Sequence, residues 1–219
     1  KILLKFNPKK ISFLLGSGFA EKFDDPTFFC NKYNFGNNIE VNNTIKGKDF
    51  FKKLRKNKIN FPQINFKNHK KNWIVKGQKS YGSLSVKKIK TSNYILKENE
   101  YSQRLIRGTV ISVQFISQNK KTKIISICDQ INLKGEYAVD YLVTKDVTNQ
   151  YKKKISMLIK KLTSIFNLNG LNSIELISEK KKYFLIEINS RPGLGTNIVG
   201  KLNGGPFFPK KKKVLKKKI

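Results

Sequence analysis

Two glutamates twelve residues apart, followed by an asparagine and an arginine at alternate positions, are the residues of this chain best suited to chemistry. Glu175 lies in the apolar run 171–177 and Glu187 in the run 183–188; Asn189 comes two residues later and Arg191 two beyond that. The two runs read as an antiparallel hairpin joined by the polar segment 178–182. Alternate side chains of a strand share a face. Glu187, Asn189 and Arg191 are therefore expected to point one way, with Glu175 facing them from the neighbouring strand. Two carboxylates and an amide oxygen converging on one spot suit Mg²⁺, a hard ion that prefers oxygen ligands and completes its shell with water and nucleotide phosphates. Arg191 adds a cation with a forked donor set, fitted to a phosphate or a developing acyl phosphate. Each residue alone has a plainer reading, as a solvent-facing strand acid or part of an Asn-Ser-Arg-Pro-Gly turn. As a set they stand out because both acids sit in long apolar runs of a chain with only 14 acidic residues.

A second group of residues could hold phosphates. Lys76 ends the apolar strand Trp73, Ile74, Val75, just before the small-residue loop 77–83, in which Ser80, Tyr81, Gly82 and Ser83 could wrap phosphates with backbone N–H groups. The plainer reading is an ordinary hairpin with an exposed lysine. Lys46, opening a helix, is a weaker candidate of the same kind. Gln103, Arg104, Leu105 and Ile106 form a strand that breaks at Gly108, and a strand-end backbone can read an adenine edge. Gly16-Ser17-Gly18 follows an apolar run, but the full dinucleotide fingerprint is absent.

The elements that must position these residues are legible from periodicity. Segment 44–57 reads as a helix with the stripe Phe50, Phe51, Leu54, and Phe61-Pro62 begins an extended segment. Strands are expected at 73–76, 84–89, 101–106, 110–117 and 123–127. The clearest helix is 148–167, where Tyr151, Ile155, Leu158, Ile159, Leu162, Ile165 and Phe166 recur at helical spacing and lysines cover the other side. Thr148 or Asp146 is expected to cap its start, and Asn169-Gly170 to end it. Residues 1–40 read as the remnant of an α/β domain, 41–200 as the main body, and 201–219 as a lysine-rich tail expected to be disordered. Because the sequence opens on Lys1, an N-terminal truncation is expected.

The chain has 219 residues, with 46 Lys plus Arg against 14 Asp plus Glu and a formal charge of +32. Such a charge points first to nucleic acid or an anionic membrane surface. Its lysines, however, are spread along the whole chain, and Asn, Ile and Phe are abundant as well. All four have A/T-rich codons, so nucleotide bias accounts for the charge. A solvated cationic surface attracting anionic small molecules is the reading adopted; nucleic acid is not the expected partner, although charge alone leaves it open, as sequence leaves a homodimer open. Cys30, Cys128 and the single His69 form no metal-binding cluster, which argues against zinc and histidine-based nucleophilic catalysis. Both cysteines read as buried, reduced residues, which fits a cytoplasmic location. No apolar run reaches membrane-spanning length.

Taken in order, these features resemble the ATP-grasp superfamily, from about residue 11 to 200: Lys46 before a helix, a strand ending in Lys76, a small-residue loop, Gln-Arg-Leu-Ile, a long helix, and then an acid followed twelve residues later by Glu-x-Asn-x-Arg. A closer resemblance is to the ATP-grasp proteins associated with tetrahydromethanopterin biosynthesis in methylotrophic bacteria. It is carried by Gly16-Ser17-Gly18-Phe19, Trp73-Ile74-Val75-Lys76, Gln103-Arg104-Leu105-Ile106-Arg107-Gly108, Ser112-Val113-Gln114-Phe115-Ile116, Gly170-Leu171-Asn172-Ser173 and Glu187-Ile188-Asn189-Ser190-Arg191-Pro192-Gly193. The resemblance implies an α+β fold of two lobes with ATP between them, preceded by a truncated α/β remnant. It implies that Lys46, Lys76 and the loop of Ser80, Tyr81, Gly82 and Ser83 hold phosphates. The backbone of Gln103, Arg104, Leu105 and Ile106 would hold adenine. Glu175, Glu187 and Asn189 would bind one or two Mg²⁺, with Mn²⁺ as an alternative. Arg191 and Lys76 would act in catalysis. The implied activity joins a small-molecule carboxylate to an amine through an acyl phosphate, in one-carbon cofactor biosynthesis. The departures are a glycine-poor phosphate loop with bulky Tyr81, no ribose-binding acid after Gly108, and Ser190 where proline is common. The thinned loop and the charge leave an alternative, a non-catalytic basic binding protein for nucleotide or nucleic acid on a degenerate scaffold of this kind.

Overall fold

The computed structural model describes residues 36–78, 83, 85–91, 94–132, 137, 139–179 and 182–196. Gly16-Ser17-Gly18-Phe19, Cys30, the loop residues Ser80, Tyr81 and Gly82, and the tail 201–219 lie outside them. Two antiparallel sheets organise the chain. The elements in order are α1 (Ile39–Thr44), α2 (Lys48–Lys56), β1 (Ile64–Asn65), β2 (Trp73–Gly77), β3 (Lys87–Lys88), β4 (Glu100–Arg104), β5 (Thr109–Gln118), β6 (Lys121–Ile131), β7 (Tyr141–Thr144), α3 (Asn149–Phe166), β8 (Gly170–Glu179) and β9 (Lys182–Asn189). The smaller sheet runs β1-β4-β2-β3 and the larger β7-β6-β5-β8-β9.

The helix expected at 44–57 forms at 48–56, and a separate helix that was not expected precedes it at 39–44. Gly47, extended at φ −120° and ψ −170°, is the N-cap of α2, so the turn between helices falls at 45–47 and Lys46 sits in that turn rather than opening a helix. Asp49 in the first turn of α2 and Lys53, Arg55 and Lys56 in the last complement the helix dipole. Its buried side chains, Phe50, Phe51 and Leu54, bridge the lobes. Phe51 packs, tilted or edge-on, against Phe61, Phe66 and Tyr101 of the smaller lobe at centroid distances of 5.5, 5.9 and 5.3 Å, and Phe50 meets Phe166 of α3 at 5.4 Å.

Helix α3 covers one face of the larger sheet. The Thr148 hydroxyl caps its start by accepting from the Tyr151 N–H. Its end comes at Asn167, in the left-handed region at φ 53°, two residues before the expected Asn169-Gly170 stop. Asparagine tolerates that conformation better than most side chains. Ile155, Ile159, Leu162 and Phe166 form the inward stripe and join Ile111, Val113, Phe115, Ile127, Ile174, Leu176, Leu185 and Ile188 in one core. Burying a side chain of this size contributes about 1.5–3 kcal/mol, so α3 is held by its apolar face rather than by its lysine-rich outer one.

Strand β6 runs well beyond the expected 123–127, β3 is shorter than the expected 84–89, and the short strands β1 and β7 had no sequence signal of their own. The hairpin of the two glutamates forms as expected, with one departure. Glu175 pairs with Glu187 while Leu176 pairs with Leu185, so Ile186 is an extra residue, a β-bulge. Without it, Leu185 and Glu187 would share a face. With it, Leu185 and Ile188 both point to the core under α3 and Glu187 turns to the other side, beside Glu175.

Candidate functional site

The face of the larger sheet opposite α3 is polar, and its residues fall into rows across the strands. One row is Cys128, Ser112, Glu175 and Glu187; the next is Ser126, Gln114, Ser173 and Asn189. Alternation along each strand thus sorts Ile111, Val113 and Phe115 to the core and Ser112 and Gln114 to this side.

The smaller sheet supplies the opposing wall. In β2 and β4, Ile74 pairs with Gln103 and Lys76 with Tyr101, so these four side chains share a face. Between the walls lies a cleft of about 830 Å³, within the range of small-molecule sites. Lys46, Lys76, Ser83, Gln103, Arg104, Leu105, Ile106, Glu175 and Glu187 all line it, together with Tyr101 and Gln130. Asn189 and Arg191 are not in its wall. They adjoin it through Glu187: the Asn189 Nδ2 donates to Glu187 Oε1 at 2.8 Å, and the Arg191 Nη2 donates to Asn189 Oδ1 at 3.2 Å.

The charges act on one another. Lys76, Glu175 and Glu187 keep some contact with water, but protein crowds them on the cleft floor. Burial pulls the Lys76 ammonium below its ordinary value, and the nearby Glu187 and Glu175 pull it back. Burial and then the charge of Glu187 push the Glu175 carboxyl up to about 8, against a hydrogen bond from Gln130 and the pull of Lys76 and Arg191. Tyr101, raised chiefly by burial, also feels Glu187. Two facing carboxylates that cannot both ionise comfortably gain from a divalent cation between them.

The donor set fits such a cation. Among the described residues no three His, Cys, Asp or Glu side chains cluster into a metal site. Two carboxylates and one carboxamide are available instead, all oxygen donors, which is the partial shell Mg²⁺ takes when phosphates and water supply the rest. The Asn189 oxygen is turned to Arg191, so ligation through it requires the carboxamide to rotate by about half a turn, which gives up its bonds with Glu187 and Arg191.

The lobes meet where β4 runs into β5. The Arg104 N–H donates to the Gln63 carbonyl at 2.8 Å, and its guanidinium pairs with Glu179 at 3.1 Å and lies over the Phe184 ring at 5.9 Å. A Cβ placed on Gly108 would fall 1.9 Å from the Ser178 carbonyl oxygen; this crossover lies directly on β8. Leu105 and Ile106, just before this crossover, line the cleft.

Sequence reasoning missed Gln130, which touches Glu175, and Tyr101, which faces Lys76. The alternation Ser126, Cys128, Gln130 along β6 carried a signal for the first. For the second, only the cross-strand register reveals it.

The ATP-grasp domain model matches residues 46–195. No curated protein matches the sequence significantly. Among solved structures, the chain is similar to an ATP-grasp superfamily protein from Archaeoglobus fulgidus (TM-score 0.64, 17% identity, covering 79% of this chain and 54% of that one). It is also similar to the L-amino acid ligase from Bacillus licheniformis (TM-score 0.61, 16% identity, 76% and 45%). A third likeness is to carboxyaminoimidazole ribonucleotide synthase from Aspergillus clavatus complexed with ATP (TM-score 0.59, 16% identity, 75% and 50%). The chain spans about half the length of each of these proteins. No helix among the described residues is long and apolar enough to cross a membrane. With two lobes around a lysine- and glutamate-lined cleft, and a family match over well more than half its length, the chain belongs to the ATP-grasp family.

Proposed function

We propose that the chain is the nucleotide-binding and phosphoryl-transfer body of an ATP-dependent carboxylate–amine ligase, with 41–200 as its working unit. In this reading Lys46, Lys76 and the loop of Ser80, Tyr81, Gly82 and Ser83 hold the phosphates, and the backbone of Gln103, Arg104, Leu105 and Ile106 holds the adenine. Glu175, Glu187 and Asn189 would hold one or two Mg²⁺, or Mn²⁺, which when bound would supply positive charge to neutralise the phosphates.

The residues position and neutralise rather than make bonds. Lys76, opposed to both acids, draws the γ-phosphate toward the cleft floor. A substrate carboxylate oxygen attacks the γ-phosphorus and ADP leaves; Arg191 steadies the charge on the resulting acyl phosphate. An amine then attacks the acyl carbon, phosphate leaves, and the nitrogen gives up a proton, completing an amide. The quoted motifs, from Trp73-Ile74-Val75-Lys76 to the Arg191 segment, support a place in tetrahydromethanopterin biosynthesis, on small-molecule carboxylate and amine substrates.

The observation that carries the reading is the direct pairing of Glu175 with Glu187 in one cleft with Lys76. Glu187→Gln keeps the size and removes a charge. Calorimetric titration should show its Mg²⁺-dependent affinity for ATP reduced at least about tenfold, since even outer partners of a metal ligand are worth that much, with the circular dichroism unchanged. Wild-type affinity in that variant removes the metal assignment. Release of ADP in a screen of carboxylates and amines then identifies the substrates, and no release with any pair, despite ATP binding, favours the non-catalytic alternative.

A further inference from the structure

We infer that Gln114 is a positioning residue: it clamps the turn that follows β9 and so holds Arg191 at the acids. The inference rests on the ligase reading and deepens it.

Gln114 is 1% exposed, in the polar face of β5. All of its side-chain polar groups are spent locally. Its Nε2 donates to Ser112 Oγ at 2.9 Å, and its Oε1 accepts from the Gly193 N–H at 3.1 Å and from Thr196 Oγ1 at 3.5 Å. The turn comes down on the amide so closely that side chains are excluded. A Cβ on Gly193 would lie 2.6 Å from Gln114 Oε1 and 2.7 Å from Ser173 Oγ; one on Gly195 would lie 2.9 Å from Gln114 Cγ.

The clamp is in register with the site. Gln114 pairs with Ser173, and Ser173 pairs with Asn189. The row next to it carries Ser112, Glu175 and Glu187. Arg191 lies between Asn189, the last residue of β9, and Gly193, the bonded point of the turn. Its backbone is thus tethered on both sides, by the strand before it and by the Gln114 amide after it. Its guanidinium meets Asn189 Oδ1 on one side and the Pro192 carbonyl at 3.2 Å on the other. A long side chain gives a strong bond to phosphate only if its fork is held in place, and without the clamp that order must be supplied at binding.

The test is the preference for ATP over ADP, which isolates the terminal phosphate that Arg191 would touch. Dissociation constants of the Mg²⁺ complexes of both nucleotides are measured by calorimetry for wild type, Arg191→Ala, Gln114→Leu, Gly193→Ala and the Gln114→Leu/Arg191→Ala double variant. Gly193→Ala attacks the same contact from the turn and stands in if Gln114→Leu fails to fold. Wild type should prefer ATP. Arg191→Ala should lose roughly tenfold of that preference, as expected for a hydrogen bond to a charged group. Gln114→Leu and Gly193→Ala should each lose most of it while ADP affinity stays within about threefold of wild type, and the double variant should be no worse than Arg191→Ala. The inference is overturned if Gln114→Leu and Gly193→Ala keep the wild-type preference, if they weaken ATP and ADP equally, or if wild type does not distinguish the two. Failure of wild type to bind the Mg²⁺–ATP complex at all overturns the ligase reading itself.

Discussion

Replacing Gly108 with alanine should destabilise the whole fold, for one steric reason. The added Cβ would lie 1.9 Å from the Ser178 carbonyl oxygen and 3.0 Å from its carbon, both backbone atoms. Gly108 is not among the residues with positive φ, so alanine is conformationally acceptable there and space alone is at issue. Relief requires a shift of more than an ångström, and neither chain can yield it freely. Thr109, the next residue, pairs with Ser178 at the end of the β5–β8 ladder. Overpacking of this kind costs about 1–3 kcal/mol, and opening the end of the ladder adds about 1 kcal/mol for a lost hydrogen bond. Together this is roughly 2–4 kcal/mol, and at about 2–4 °C per kcal/mol for a chain of this size the midpoint should fall by roughly 4–16 °C. Gly47→Ala is the steric control, because its Cβ would meet nothing closer than the Asn43 carbonyl oxygen at 3.9 Å; the poorer N-cap it leaves on α2 should cost at most about 1 kcal/mol. Thermal denaturation of both variants gives the comparison. Equal midpoints for Gly108→Ala and Gly47→Ala would show that the crossover does not rest on β8 and would undo the account of how the lobes are joined.

Two further outcomes concern stability. Glu100 is 8% exposed and accepts from the Tyr94 hydroxyl at 3.0 Å, the Lys97 N–H at 3.1 Å and Lys87 at 3.4 Å; burial raises its carboxyl, but these donors outweigh it and leave it below the ordinary value. An acid depressed by folding stabilises the fold above its unfolded pKa, about 4.3, and that contribution disappears as pH falls through the folded value, so wild type should lose stability below about pH 4.3 more steeply than Glu100→Gln; parallel urea midpoints down to acid pH would refute this. At Asn167, with φ 53° at the end of α3, alanine should cost about 1 kcal/mol while glycine is neutral or stabilising, and a glycine variant less stable than the alanine one would contradict the left-handed cap.

The long periodic elements were readable because burial imposes their pattern. Ile155, Ile159, Leu162 and Phe166 recur at helical spacing since they cover one sheet face, and α3 starts at the expected Thr148 cap. The break at Gly47 was hidden inside an apolar stripe, since Phe50, Phe51 and Leu54 belong to α2 whether or not the helix begins at 44. Strands β1 and β7 are two and four residues long, too short for alternation to register, and exist because β4 and β6 offer them edges. Sequence spacing brought out Glu175, Glu187, Asn189 and Arg191, and alternation along β6 carried a signal for Gln130, whereas Tyr101 enters the site only through cross-strand register.

The bulge at Ile186 explains how the two acids come to face one another. Read with strict alternation, Leu185 and Glu187 fall on one face, an apolar core residue beside a charge, and the strand looks inconsistent. One extra residue resolves the conflict: Leu185 and Ile188 keep the core, while Ile186 and Glu187 both reach the cleft. A single hairpin thereby serves two incompatible surroundings, a dry layer under α3 and a charged floor facing Lys76. Deleting Ile186 would restore plain alternation, and would force the strand to bury either Glu187 under α3 or Leu185 in the cleft. The sequence pattern of β9 is stable only with the irregularity that aims its acid, so the fold and the candidate site impose the same constraint on this strand.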